Sequence, residues 1–217
     1  YEELMRKAKI AAGKTLLYRE PPHYITLGKE LPAKALDEIL TDHAEVFTEL
    51  KEYYKQTSES DTTKISFYED TYSLYNLYRF AHYYEEAYGK YIWLKSGASL
   101  VIEHTEAMTV IDVNTGSVLK KKKQEDTLFY QINREAAKEI ARQLRLRNIS
   151  GIIMIDFINM KDTAQKEKLL SLLDSECKKD RVHCNVIDMT ALNLVEMTRS
   201  KVRKPLHEQI RSCMKNN

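Results

Sequence analysis

Two aspartates and an asparagine are the residues of this sequence whose types and spacing suit chemistry. Asp112 closes the apolar run Met108-Thr109-Val110-Ile111, and Asn114 follows two residues later; Asp156 closes a second run, Ile152-Ile153-Met154-Ile155. Carboxylate and amide oxygens are hard donors. A cation such as Mg²⁺ needs only one or two carboxylates, because it keeps several of its waters. Held beside a phosphate, such a cation polarises the phosphoryl oxygen and activates water. Taken singly, an Asp at the end of a strand is as often a helix cap or turn former. The paired arrangement is what favours a metal site.

The elements that must position these residues are legible around them. Runs rich in Val, Ile and Met and bounded by Gly or polar residues read as buried strands. Between them, from Thr127 to Arg147, lies a helical pattern rich in arginine. A helix there carries the chain back over the sheet, so that the two strands lie side by side. Asp112 and Asp156 then emerge together at the carboxyl edge, where open α/β sheets bind ligands. Downstream, Thr163 to Lys179 reads as a helix, Val182 to Met189 as a strand ending near Asp188, and Leu192 to Arg199 as a last helix or strand-helix element. Upstream, Leu36 to Leu40 and Lys64 to Tyr68 read as strands, Glu45 to Gln56 as an amphipathic helix, and Ile92 to Leu94 and Leu100 to Ile102 as two strands around a turn. Trp93 is expected in the core. The fold class is α/β.

With 217 residues the chain can bury a real core. A net charge of +2 with 30% charged residues means that bulk charge does not announce a nucleic-acid binder, and local clusters must carry that case. The cysteines Cys177, Cys184 and Cys213 form no C-x-x-C pair, and their odd number argues against a disulfide framework. A reduced, cytoplasmic setting is expected, with no membrane segment, because no apolar run reaches about 18 residues. The chain starts at Tyr1 without Met, so an upstream portion is expected.

Charge and aromatic clusters offer weaker candidates. Lys121, Lys122 and Lys123, with Lys120, form a basic run that is ordinarily a solvated loop. Beside a phosphate site they can instead contact a nucleic-acid backbone. Arg142 and Arg145 share a helix face, either gripping phosphates or complementing the helix end. Seven tyrosines from Tyr68 to Tyr88, with Arg79 and His82, can stack on unpaired bases or simply pack a helix on its scaffold. Glu103, His104 and Glu106 read as supporting or surface groups. The basic stretch from Arg199 to Lys204 is available to a polyanion or a partner.

Ile102-Glu103-His104-Thr105-Glu106-Ala107-Met108-Thr109-Val110-Ile111-Asp112-Val113-Asn114-Thr115-Gly116 resembles a signature of the ribonuclease E/G family. The likeness continues through Asn133 to Arg147, Gly151 to Met160 and Val195 to Arg199. The resemblance implies a Mg²⁺-dependent (alternatively Mn²⁺-dependent) endoribonuclease that hydrolyses single-stranded, A/U-rich RNA to 5′-phosphate and 3′-hydroxyl ends. Asp112 and Asp156 match the family's metal-binding aspartates, and Asn114 its supporting amide. It also implies an organisation. Residues 1–90 would be the end of a 5′-sensing region and an RNase H-like scaffold. Residues 91–217 would be a DNase I-like catalytic unit with a basic tail. Asn159 stands where many relatives have Asp, and Ala98 where many have a second turn glycine. The paired thiols of the family's zinc link do not follow Cys213. No zinc site is therefore expected, and a homodimer would use other surfaces. The alternative reading is a non-catalytic RNA-binding or assembly module.

Overall fold

The computed structural model describes residues 2–11, 13, 15–16, 21–30, 36–57, 64–116 and 125–215. They form α1 (Glu2–Ile10), α2 (His23–Glu30), β1 (Glu38–Thr41), α3 (Ala44–Thr57), β2 (Lys64–Phe67), α4 (Leu74–Leu77), α5 (Phe80–Tyr88), β3 (Tyr91–Trp93), β4 (Ser99–His104), β5 (Met108–Asn114), α6 (Glu125–Leu146), β6 (Gly151–Asp156), α7 (Thr163–Cys177), β7 (Cys184–Met189), β8 (Leu194–Arg199) and α8 (Leu206–Lys215). The architecture is α/β. The chain divides into two compact units, Tyr1–Tyr78 and Arg79–Asn217.

In the first unit, β1 and β2 pair in parallel, with Ile39 opposite Ile65. A parallel pair needs a crossover, and α3 supplies it. Leu50 of that helix is fully buried, and Phe47 meets Phe67 at 5.4 Å between ring centres. The expected single helix through the tyrosine-rich stretch is broken. Arg79 adopts a left-handed backbone (φ 52°) between α4 and α5, and Tyr72, Tyr75, Tyr78, Tyr83, Tyr84 and Tyr88 are all exposed.

The second unit is a six-stranded mixed sheet in the order β3-β4-β5-β6-β8-β7. Only β5 and β6 run parallel, joined through α6; the other neighbours are antiparallel. Side chains alternate across a strand. Leu100 and Ile102, Ile111 and Val113, Ile153 and Ile155, and Val195 and Met197 therefore all point to one face. Against it lie Ile132, Ala136, Ala137, Ile140 and Leu144 of α6 with Leu169 and Leu173 of α7. The small alanines let α6 approach the sheet closely. Asn148, left-handed at φ 48°, ends that helix and turns the chain into β6.

The segment read as a last helix or strand-helix element is plainly a strand. β8 lies between β6 and β7, with Val195 opposite Ile155 and Met197 opposite Ile153. Arg199 ends it and is buried rather than part of a free basic tail. Its Nε donates to Asp180 Oδ2 at 2.9 Å, and its Nη1 donates to Asn148 Oδ1 and to the Ile149 carbonyl, both at 2.9 Å. Among the described residues no helix is long and apolar enough to cross a membrane.

Candidate metal centre

The parallel ladder between β5 and β6 sets Asp112 directly beside Asp156. Neighbouring strands stand about 4.8 Å apart, and paired residues point to the same side. Both carboxylates therefore project from the sheet face opposite α6 and α7, at the carboxyl ends of their strands. Asn114, two residues on, shares this face and donates from Nδ2 to Asp112 Oδ2 at 2.7 Å. Partial burial and the charge of Asp112 both hold the Asp156 carboxyl above its ordinary range. Two close carboxylates that resist joint ionisation, with a third oxygen donor alongside, fit a hard divalent cation. Among the described residues no cluster of three or more His, Cys, Asp or Glu is placed to hold a metal. The candidate centre is accordingly this two-carboxylate, one-amide set.

Two side chains from the first half of α6 set the loops around it, and sequence reasoning missed both. Asn133, fully buried, donates from Nδ2 to the Ile158 carbonyl at 2.7 Å and accepts from the Ile158 N–H at 3.0 Å. That two-way clasp fixes the chain just past Asp156. Glu135 accepts from the backbone N–H groups of Lys95 and Ser96 at 2.7 and 3.2 Å, holding the turn between β3 and β4. This turn touches the chain beyond Asn114. A Cβ on Gly116, whose φ is +57°, would stand 2.4 Å from the Gly97 carbonyl oxygen. The signal in the sequence was a polar residue on the apolar stripe of an otherwise amphipathic helix.

A model of the ribonuclease E/G family matches residues 1–202. This chain belongs to that family. It is 37% identical to Ribonuclease G of Haemophilus influenzae over 203 residues, 94% of this chain and 41% of that protein. Against Ribonuclease G of Escherichia coli strain K12 the identity is 34% over 206 residues, 95% of this chain and 42% of that protein. Ribonuclease E of a Nostoc species is 30% identical over 211 residues, covering 96% and 31%. The chain thus spans about two fifths of the ribonuclease G relatives' length.

Within this ribonuclease E/G chain Arg142 and Arg145, the expected site residues among those described, lie apart from the carboxylate pair. From Asn133 to Arg142 the helix rises about 14 Å, on the covered face of the sheet. There Arg142 forms ion pairs with Glu86 and Glu139, and the guanidinium holds the Glu86 carboxyl below its ordinary range. Arg147 extends this latch, donating to Gln143 Oε1 at 2.7 Å and to the Glu86 carbonyl at 2.9 Å. The group ties α5 to α6. Arg145 reaches the Glu176 carbonyl near the end of α7, at 3.4 Å. Lys121, Lys122 and Lys123 lie outside the described residues. His104 sits at the other end of β4 from Ser99, stacked on His207 at 3.9 Å with Nδ1 3.0 Å from Thr109 Oγ1. Trp93, expected in the core, is 73% exposed, because Ile92 takes the inward position of this short strand.

Proposed function

We propose that this chain carries the cleavage centre of a metal-dependent endoribonuclease acting in the cytoplasm on single-stranded, A/U-rich RNA. The observation that carries the reading is the adjacency of Asp112 and Asp156 in one ladder, with Asn114 bonded to the first. Its membership of the ribonuclease E/G family supports the choice of RNA as substrate. Asp112 and Asp156 would hold Mg²⁺ or Mn²⁺, and Asn114 would orient the Asp112 carboxylate by its amide hydrogen bond. When bound, the cation supplies Lewis-acid polarisation of the phosphodiester and a source of hydroxide. Hydrolysis breaks the P–O3′ bond, adding water to leave a 5′-phosphate and a 3′-hydroxyl. Residues 1–90 are read as the end of a 5′-sensing region and an RNase H-like scaffold, and residues 91–217 as a DNase I-like catalytic unit.

The test is cleavage of a 5′-monophosphorylated, A/U-rich single-stranded RNA with Mg²⁺, for the parent chain, Asp112→Asn and Asp156→Asn. Cutting by the parent that falls about 1,000-fold or more in each variant, as loss of several kcal/mol of charge stabilisation implies, supports the centre. Cutting that survives both substitutions would sink it.

A further inference from the structure

The face that carries the carboxylates also carries two aromatic side chains that no packing explains. In the register of β3 with β4, Tyr91 stands opposite Val101 and Trp93 opposite Ser99. In the next ladder Val101 stands opposite Asp112 and Ser99 opposite Asn114. Two rows therefore cross the sheet. One runs Tyr91, Val101, Asp112, Asp156; the other runs Trp93, Ser99, Asn114. Partners across a ladder share a face. Both rings accordingly project on the same side as the carboxylates, with β3 about 10 Å from β5 at ordinary strand spacing. Tyr91 is 61% exposed and Trp93 73% exposed, whereas Ile92 between them is buried.

We infer that Trp93 and Tyr91 form a stacking platform for an unpaired base of the strand whose phosphate lies at Asp112 and Asp156. The inference rests on the reading of that pair as an RNA-cleaving centre. Single strands are gripped by aromatic faces set beside a phosphate-tracking groove, and every base offers a π-face to stack. The row geometry provides that juxtaposition, with the rings one strand beyond Val101 and Ser99. Lys90 Nζ stands 5.8 Å from the Tyr91 ring centre and pairs with the Glu103 carboxylate beside it. A base paired in a duplex hides its faces, so the platform selects unpaired RNA.

Trp93 is the one tryptophan of the chain and reports on the site by its own emission. The full chain is mixed with A/U-rich single-stranded RNA and Mg²⁺, and emission is followed before the first turnover. The same strand in a duplex and inorganic phosphate serve as controls, and binding is followed separately by anisotropy of a labelled strand. Stacking quenches Trp93 with the single strand but not with the duplex or phosphate. Trp93→Ala raises KM about ten-fold or more with little change in kcat and no fall in Tm, and Trp93→Phe restores most of the loss. RNA that binds or is cut while Trp93 emission stays unchanged overturns the platform and leaves the cleavage centre standing. A Trp93→Ala variant that loses Tm as well as activity also overturns it, since the ring would then be structural. Absence of both binding and cutting overturns the platform together with the cleavage reading.

Discussion

At the scale of single residues, His104 shows how position decides what a titratable group does. It occupies the inward-facing end of β4, half-buried, with His207 stacked on it. Burial first, and then the charges of His207, Arg147 and Arg211, lower its pKa from 6.5 to about 4. Its neutral ring is matched to this site and its cation is not. A depressed histidine contributes stability that is complete above the unfolded value of 6.5 and is lost as pH falls towards about 4, where the unfolded chain takes the proton first. Melting temperature measured from pH 7 to 4 should thus fall more steeply for the parent than for His104→Gln. Curves that run parallel would show that the histidine is neutral at no cost. In the sequence the same residue reads as a supporting or surface group, and nothing there indicates that it is stacked on an aromatic partner over 100 residues away.

At the scale of elements, α6 does two jobs with two ends. Its first half clasps the loops that follow Asp156 and precede β4, through Asn133 and Glu135. Its second half is latched to α5 through Arg142 and Arg147. Asn133→Ala removes both bonds to Ile158 and leaves its part-buried N–H and carbonyl without those partners, at a cost of about 1–3 kcal/mol. Misplacing Asp156 by about 1 Å would cost cleavage roughly 100-fold. Thermal melts and cleavage rates on the same variant separate these effects, and a destabilised Asn133→Ala that cuts at the parental rate would show that the clasp is structural only. The arrangement of β5, α6 and β6 was legible because periodicity survives in long elements: the helix stripe and the two apolar runs have no competing pattern. Elements whose conformation is set by partners were not legible. Leu194–Arg199 contains good helix formers, yet becomes a strand because β6 and β7 offer ladders on both its sides. Trp93 faces outward because a three-residue strand buries only its middle residue, and Ile92 holds that place. Arg142 reads either as a phosphate grip or as a complement to the helix end, because Glu86, its partner, lies 56 residues away.

At the scale of the whole molecule, apolar burial is divided unequally between the two units. The large core cluster, from Ile92 to Met197, lies entirely within Arg79–Asn217. In Tyr1–Tyr78, the buried apolar residues among those described are Ile25 and Leu50, beside a two-stranded sheet of four-residue strands. A two-stranded sheet with few buried apolar side chains is marginal alone, and local opening follows the density of buried contacts. Amide hydrogen exchange resolves the two units. Amides of Ile39 to Thr41 and Ile65 to Phe67 should exchange at least about ten-fold faster than those of Ile111 to Val113 and Ile153 to Ile155. The second group should exchange only with global unfolding, and its protection should shift with denaturant in step with the melting transition. Equal protection in both groups, with one shared denaturant dependence, would mean that the two units open as one. Asp112 and Asp156 would then depend on residues before Arg79 for their framework. The unequal burial argues the other way: the sheet that aligns Asp112 with Asp156 is self-sufficient, and its order should persist while the first unit opens.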